Sequence, residues 1–178
     1  MEILNQIVIT DNIKLIRIKQ DFDEEKLKEH LKKLKDKEIE DYLGFSENIE
    51  EEIEDIKGKI ERKTNIYYAI YKQDEFIGWF YLYDIKERYR RANLSLGIQK
   101  DMRGHILSLD MVKSLLENLF SMGFNRLGLE IEDTNVKSLK LAKHLEQIGF
   151  QYEGKLRDNY GENINSHVWS LLKREYIK

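Results

Sequence analysis

The sequence predicts an α/β protein of the α+β type, in which about four helices flank a sheet of about six to seven strands. Four segments repeat apolar residues at spacings of three and four, which is typical of amphipathic helices. Around them lie short runs rich in β-branched and aromatic residues, which is typical of strands. The chain has 178 residues, of which 41% are hydrophobic, so we expect residues 1–178 to form a single domain.

The first third of the chain predicts one strand followed by two helices. Residues 13–18 form the apolar-rich strand. Helical spacing then runs through residues 22–39 and 49–60, and Ser46 lies where the N-cap of the second helix is expected. Acidic residues outnumber basic ones by six between residues 21 and 63. We interpret these acids as a solvated helix face, and the alternative is an acidic wall that attracts a cationic substrate.

The remainder of the chain predicts three strands, a helix, a strand, a helix and two strands. Residues 72–75 join the first two of these strands as a hairpin, and Gly123 and Gly149 lie where each helix is expected to end in a left-handed residue. The predicted helices cover residues 106–122 and 136–148, and the predicted strands cover residues 66–71, 76–85, 91–99, 126–131, 151–156 and 167–172.

The strand at 76–85 is strongly aromatic, and strand alternation assigns its side chains to two faces. We interpret most of these rings as core residues, and the alternative is that one or two phenol or indole groups line an open pocket. One face is expected to carry Trp79, Tyr81 and Tyr83, and the other Phe76, Phe80 and Leu82.

Composition excludes several classes of function. The chain has no cysteine, so disulfides, cysteine nucleophiles and sulfur-ligated metals are excluded; its histidines lack zinc-binding spacing, so we expect no metal. The net charge of -3 predicts no nucleic-acid partner, and the basic cluster at 88–91 is the one feature that favours such a partner. The N-terminus lacks signal-peptide features, and no apolar run reaches the roughly 20 residues that cross a bilayer. We therefore expect a cytoplasmic protein without membrane association.

The junction between the strand at 91–99 and the helix at 106–122 carries the first candidate site. A strand that leads into a helix through a short loop presents the first unpaired amides of the helix, and the positive end of its dipole, to an anion. Lys100 and Arg103 lie in this loop, and Gly104 allows a ligand to approach the backbone. The pattern predicts a phosphate-binding site, and the alternative is an ordinary turn that binds nothing.

Four segments of the second half form a longer pattern with this junction: LSLGIQKDMRGHILS at 94–108, NRLGLEIEDTN at 125–135, GFQYEGKLR at 149–157 and SLLKREY at 170–176. In this order they resemble the GNAT superfamily of N-acetyltransferases, and the RimJ/RimL branch most of all. The resemblance extends from Tyr67 to the C-terminus. It implies a GNAT-like domain with a mixed, mostly antiparallel central sheet.

The resemblance also implies acetyl-CoA as the co-substrate. Its pantetheine arm would run beside Leu96, Gly97 and Ile98 and pair with the strand backbone. The family's pyrophosphate loop has three glycines, of which this chain retains one, and Ile106 is β-branched and adopts positive φ only at a high energy. We therefore expect weakened or reshaped CoA binding. The residues that match this loop are Arg103, Gly104, His105, Ile106, Leu107 and Ser108.

Acetyl transfer to an amine needs a neutral nucleophile, a donor for the carbonyl oxygen and an acid for the departing thiolate. The glutamate frequent in the family falls on Asn93, which is not a base, and the frequent tyrosine falls on Ala142 or Leu145. RimL-like members use a serine three residues after an asparagine, and Asn135 and Ser138 reproduce this spacing. The resemblance implies that Ser138 protonates the thiolate and that Asn135 and Ser138 contact CoA. The alternative for Ser138 is a first-turn helix residue bonded to the backbone.

The resemblance assigns no residue as the base. Tyr160 and Asp158 lie in the loop after Arg157, which faces the substrate in the family, and Tyr83 and Asp84 end a central strand. The alternative for each of the four is a structural role. Among these we take Tyr160 as a catalytic candidate. Tyr83 and Asn93 are our candidates for binding the substrate.

The function that follows is acetyl-CoA-dependent N-acetylation of a primary amine, on a small molecule or a protein N-terminus, by direct attack of the amine on the thioester. The alternative is a catalytically degenerate GNAT-fold module that binds CoA or serves regulation. The sequence leaves the acceptor amine open, and the oligomeric state as well, with a homodimer among the options.

Overall fold

The computed structural model describes residues 1–34, 46, 48–102 and 109–177. Its helices are α1 (Glu24–Leu34), α2 (Ile49–Glu61), α3 (Leu109–Ser121) and α4 (Val136–Leu145). Its strands are β1 (Gln6–Thr10), β2 (Ile13–Ile18), β3 (Ile66–Lys72), β4 (Glu75–Lys86), β5 (Arg91–Ile98), β6 (Arg126–Glu132), β7 (Gln151–Gly161) and β8 (Ile164–Leu172).

Within these residues eight strands form one sheet in the order β1-β2-β3-β4-β5-β6-β8-β7. Neighbouring strands are antiparallel except β5 and β6, which are parallel. The predicted fold class, with a mixed and mostly antiparallel sheet, is therefore confirmed. The additional strand is β1, in which Ile7 is buried while Gln6 and Val8 are exposed. Its short, partly polar pattern gave no strand signal by itself.

The helix ends differ from the prediction at α2. Asn48, not Ser46, is the N-cap, and its Oδ1 accepts a hydrogen bond from the Glu50 amide at 3.1 Å. The Ser46 hydroxyl instead accepts from the Asn48 amide at 3.1 Å. Residues 35–39 of the first predicted helix and 106–108 of the third lie outside the described residues.

The last hairpin is longer than predicted. Strand β7 continues to Gly161 instead of ending at Leu156, and β8 begins at Ile164. The pairing shifts between Leu156 and Gly161, and Asp158 has a φ of 51°. The polar residues that follow Leu156 are typical of loops, although here they form an irregular part of the strand. As a result Tyr160 belongs to a strand and not to a loop.

Helices α1 and α2 pack on the face of the sheet that carries Trp79. Leu31 of α1 and Ile56 of α2 belong to one buried cluster with Tyr67 and Trp79. Helices α3 and α4 contribute to a second cluster that contains Phe80. The predicted separation of Trp79 and Phe80 onto opposite faces is therefore confirmed.

Phe76 lies on the face opposite to the predicted one. It belongs to the cluster of Trp79, although the two residues lie three positions apart and regular alternation would put them on opposite faces. The reason is a bulge, because Ile70 pairs with Gly78 while the next residue, Tyr71, pairs with Phe76. An extra residue in one strand reverses the alternation beyond it.

Candidate active site

The sheet opens between β5 and β6. The two strands pair over only three positions, the last of which joins Asn93 to Gly128. Beyond that point β5 remains paired with β4 as far as Ile98, and β6 remains paired with β8 as far as Glu132. The opening between the second halves of β5 and β6, which we call the wedge, lies at the carboxyl ends of two parallel strands. Such ends are the usual place for ligands in sheets with parallel strands.

Gly128 allows the side chain of Asn93 to lie at the narrow end of the wedge. A Cβ atom on Gly128 would lie 2.3 Å from Oδ1 of Asn93, a distance that no real contact allows. Asn93 also lies beside Tyr83, its cross-strand partner on β4. The structure thus brings together the two predicted substrate-binding residues.

A row of partly buried polar side chains lies on this face beside the wedge. Tyr81 and Tyr83 of β4 are in register with Ser95 and Asn93 of β5. Burial raises the pKa of both phenols, so they stay protonated at neutral pH. They can donate hydrogen bonds but cannot act as bases there.

Glu130 was not predicted as a functional residue, and it lies on the same face across the wedge. Its Oε1 accepts hydrogen bonds from the Ser166 hydroxyl at 3.1 Å and from Nδ2 of Asn159. The charge of this side chain contributes to the raised pKa of Tyr160, so the phenol lies near it. The alternation of Glu130 with the apolar residues of β6 indicated only a solvent-facing strand position. The residues around it come from β4, β7 and β8, and local sequence does not reveal them.

Tyr160, the catalytic candidate from the sequence, thus lies against Glu130. Its side chain is half exposed, and burial together with the charge of Glu130 raises its pKa to about 12. The phenol is therefore a donor at neutral pH. Of the other two candidate bases, Asp158 accepts a hydrogen bond from the Asn163 amide at 3.0 Å within the hairpin turn, and Asp84 pairs with Arg91 at 3.1 Å.

Ser138 and Asn135 lie at the start of α4, directly after β6. Asn135 is the N-cap of the helix, and its Oδ1 accepts a hydrogen bond from the Ser138 amide at 3.1 Å. Both side chains are partly buried. Within the described part of the chain the Ser138 hydroxyl has no hydrogen-bond partner, so it is available to a ligand. The Asn135 oxygen is already used for the helix cap.

The predicted donor site is described only in part. Leu96 is partly buried, and Gly97 and Ile98 are buried, at the end of β5 along the wedge. Arg103, Gly104, His105, Ile106, Leu107 and Ser108 lie outside the described residues. Where the structure describes the chain, it shows no cluster of side chains suited to a metal ion and no helix long and apolar enough to span a membrane.

Most acids of α2 lie on the surface as predicted, and Glu52 is the exception. It is 5% exposed and accepts a hydrogen bond from the Ser46 amide at 2.8 Å. Burial raises its pKa. Its charge contributes to the raised pKa of Tyr81, which places a second carboxylate near the row of phenols.

An open depression of about 690 Å³ lies along the last hairpin. One of its lining residues, Asn159, is also a donor to Glu130. Its lining residues are Lys155, Leu156, Arg157, Asp158, Asn159 and Asn165.

Comparison with known proteins identifies the family. Residues 14–151 match the family described as "Acetyltransferase (GNAT) domain". The chain belongs to the GNAT family of N-acetyltransferases, in its RimJ/RimL-type branch. GNAT enzymes use an acyl-CoA donor and an amine acceptor. The wedge and its polar face are therefore the candidate binding sites for these two molecules in this GNAT chain.

Individual relatives support the same family. The chain is 33% identical over 122 residues to "Uncharacterized N-acetyltransferase p20" of Bacillus licheniformis, which covers 66% of this chain and 67% of the relative. The chain is also similar to a Salmonella typhimurium acetyl transferase that modifies the N-terminal serine of the 50S ribosomal subunit protein L7/L12, with a TM-score of 0.78, 17% identity and coverage of 94% of this chain and 98% of the other. A spermidine N-acetyltransferase chimera from Vibrio cholerae and hSSAT gives a TM-score of 0.76, 18% identity and coverage of 93% and 98%. At these identities the two structures show that the GNAT fold is shared.

Proposed function

We propose that this GNAT protein transfers an acetyl group from acetyl-CoA to a primary amine of a small molecule or of a protein N-terminus, by direct attack of the amine. The observation that carries the proposal is the separation of β5 from β6 after Asn93 and Gly128. It leaves a strand edge beside a row of polar side chains, so that a donor and an acceptor can meet at one place.

The donor side of the proposal concerns the backbone of β5. On the side facing β6, residues 94–97 have no strand partner in the described residues. Backbone amides and carbonyls that lack a strand partner need other hydrogen bonds, and the two amide groups of a pantetheine arm can supply them as an added strand does. Leu96, Gly97 and Ile98 would hold this arm. Arg103, Gly104, His105, Ile106, Leu107 and Ser108 stay our prediction for the pyrophosphate, since the described residues do not include them.

The acceptor side of the proposal is the face that carries Tyr83, Asn93 and Tyr160. Their side chains can orient an amine through hydrogen bonds and ring contacts, and orientation alone contributes strongly to a reaction between two bound molecules. Acetyl-CoA supplies the acetyl thioester on which the amine acts.

Ser138 is the group we propose to protonate the thiolate. Its hydroxyl is free of partners in the described structure, at the first turn of a helix whose dipole favours negative charge nearby. A serine hydroxyl is a weak acid, so it acts here as a relay that gives one proton to sulfur and receives another. Asn135 keeps this turn in place through its hydrogen bond to the Ser138 amide.

A binding measurement followed by a turnover measurement tests the proposed function. We expect acetyl-CoA to raise the melting temperature of the protein, because a ligand that binds only the folded state stabilises it. We then expect release of free CoA thiol with at least one member of a panel that contains a diamine, an amino sugar and peptides with free N-termini. Stabilisation without thiol release from any amine would favour the degenerate binding module, and no stabilisation at millimolar acetyl-CoA would overturn the proposal.

A further inference from the structure

We infer that the ring of Tyr81 limits the acyl group of the donor to acetyl, so that propionyl-CoA and butyryl-CoA are poor donors for this protein. The inference rests on the proposed function and adds to it the length of the acyl chain that the site accepts. Membership of the GNAT family implies an acyl-CoA donor and leaves that length open. The side chains beside the wedge therefore have to decide it.

The narrow end of the wedge determines where the acyl group of a bound donor lies. A pantetheine arm that runs along residues 94–97 from the wide end stops where Asn93 pairs with Gly128 and the sheet closes. The acyl group at the tip of the arm must then turn out of the sheet toward one of its two faces. One face is filled by the core, in which Ala92 and Leu127 are buried. The acyl group is thus directed to the opposite face, which carries Asn93.

Tyr81 lies on that face, beside the edge of the wedge. It is the cross-strand partner of Ser95, and the Cβ atoms of such partners are about 5 Å apart. The neighbouring positions of Tyr83 and Asn93 belong to the proposed acceptor side. An amine that approaches the thioester from there leaves the other side of the carbonyl carbon for the acyl chain, and Tyr81 stands on that side.

The ring of Tyr81 is held in place by other rings. Its centroid lies 5.2 Å from that of Tyr67 and 5.9 Å from that of Tyr83. Tyr67 is 2% exposed, its hydroxyl accepts a hydrogen bond from Nδ2 of Asn65 at 3.1 Å, and its ring lies 5.9 Å from that of the fully buried Trp79. Protein interiors are closely packed, so Tyr81 cannot move toward Tyr67 without disturbing the core beneath it.

A fixed ring at this place discriminates donors by their methylene groups. A methyl group fits against the face of a ring, whereas each additional methylene has to displace the ring. One methylene changes kcat/KM by about 10- to 200-fold in sites of this kind. We therefore expect kcat/KM to fall by about 10-fold from acetyl-CoA to propionyl-CoA and by about 100-fold from acetyl-CoA to butyryl-CoA.

The bonds that change are the same for the three donors. The nitrogen of the neutral amine forms a bond to the acyl carbonyl carbon, and the bond between this carbon and sulfur breaks. Sulfur receives a proton from the Ser138 hydroxyl, which recovers one from the nitrogen. The products are an amide and free CoA thiol in each case, so differences between donors report how the acyl chain fits.

The test measures kcat/KM of the three acyl-CoA donors with the best amine of the panel. Tyr81→Ala removes the ring, and we expect the ratio of butyryl-CoA to acetyl-CoA activity to rise by at least about 10-fold. Tyr81→Phe keeps the ring and should keep the wild-type ratio. Tyr152→Ala removes a half-exposed ring of the edge strand β7, so it is the matched control and should also keep that ratio.

The ratio between donors distinguishes this role from a structural one. Loss of packing alone would lower the activity with all donors by the same factor and leave the ratio unchanged. Tyr81→Leu fills part of the space of the ring, so it protects the experiment against a Y81A chain that does not fold. Its ratio should lie between those of the wild type and Y81A.

Three outcomes overturn the inference. One is a wild type that uses butyryl-CoA as well as acetyl-CoA or better, in which case acyl transfer stands without a limit on chain length. Another is a ratio in Y81A and Y81L equal to that of the wild type, which would assign the limit to a different side chain. The last is a wild type that releases no CoA thiol from any of the three donors, which overturns the proposed function and this inference together.

Discussion

His30 on α1 predicts a specific loss of stability in acid. The side chain is 6% exposed, stacks on Phe76 with a centroid distance of 3.9 Å, and lies with Nε2 3.3 Å from the Tyr71 hydroxyl. Its Nδ1 is buried without a partner among the described residues. Burial, reinforced by the charges of Lys26 and Lys33, lowers its pKa to about 4 from 6.5. The folded protein thus favours the neutral imidazole.

The sign and size of the effect follow from that difference. Between pH 6.5 and 4 the unfolded chain binds a proton at His30 and the folded chain does not, so acid favours unfolding. The contribution of His30 is fully present above pH 6.5 and is lost as the pH falls toward 4. At about 1.4 kcal/mol for each pKa unit, the loss amounts to about 3 kcal/mol.

Urea unfolding of the wild type and of His30→Phe measures this term. Phenylalanine keeps an aromatic ring beside Phe76 but does not titrate. Other groups titrate equally in both proteins, so the difference between their unfolding free energies isolates His30. We expect the wild type to lose about 3 kcal/mol relative to H30F as the pH falls from 6.5 to 4. His144→Gln, at an exposed position of α4, is the control and should follow the wild type. Parallel curves for wild type and H30F would refute the reasoning.

Three further predictions concern the wedge. Ser138→Ala should lower kcat by about 10- to 100-fold without changing the KM of either substrate, whereas Ser121→Ala, on an exposed helix end, should have no effect on steady-state kinetics. Gly128→Ala should displace Asn93, since the added Cβ would lie 2.3 Å from Oδ1; we expect a destabilisation of about 1–3 kcal/mol in urea unfolding, which Asn93→Ala in the same chain should largely relieve. Asn159→Ala should lower kcat/KM for the amine and leave acetyl-CoA binding intact, and a variant that binds acetyl-CoA more weakly would contradict that expectation.

The helices and most strands could be predicted because their signals are local. The helix ends at Gly123 and Gly149 are an example, since both residues have the predicted left-handed backbone, with φ of 101° and 103°. The strand at Ile13–Ile18 was predicted with its observed bounds. The resemblance to the GNAT family predicted, in addition, that the sheet is mixed. Strand β1 was missed because a five-residue edge strand with exposed Val8 has little signal by itself.

The candidate site could be predicted only where it follows the chain. Asn135 and Ser138 belong to one helix turn, and their spacing is visible in the sequence. The relation between Asn93 and Gly128 is not visible, because it depends on how two distant strands pair and then separate. The same holds for Phe76, whose side of the sheet was decided by a bulge opposite Tyr71.

The amino-acid order by itself determined which segments become helices and strands, since periodicity and turn residues act over a few positions. Tertiary structure alone decided that Glu130 meets Asn159, Tyr160 and Ser166. These side chains come from three strands whose pairing brings them to one face. The groups that surround the charge of Glu130 there are neutral. Contacts between residues distant in sequence arise from strand register, and register depends on the whole sheet.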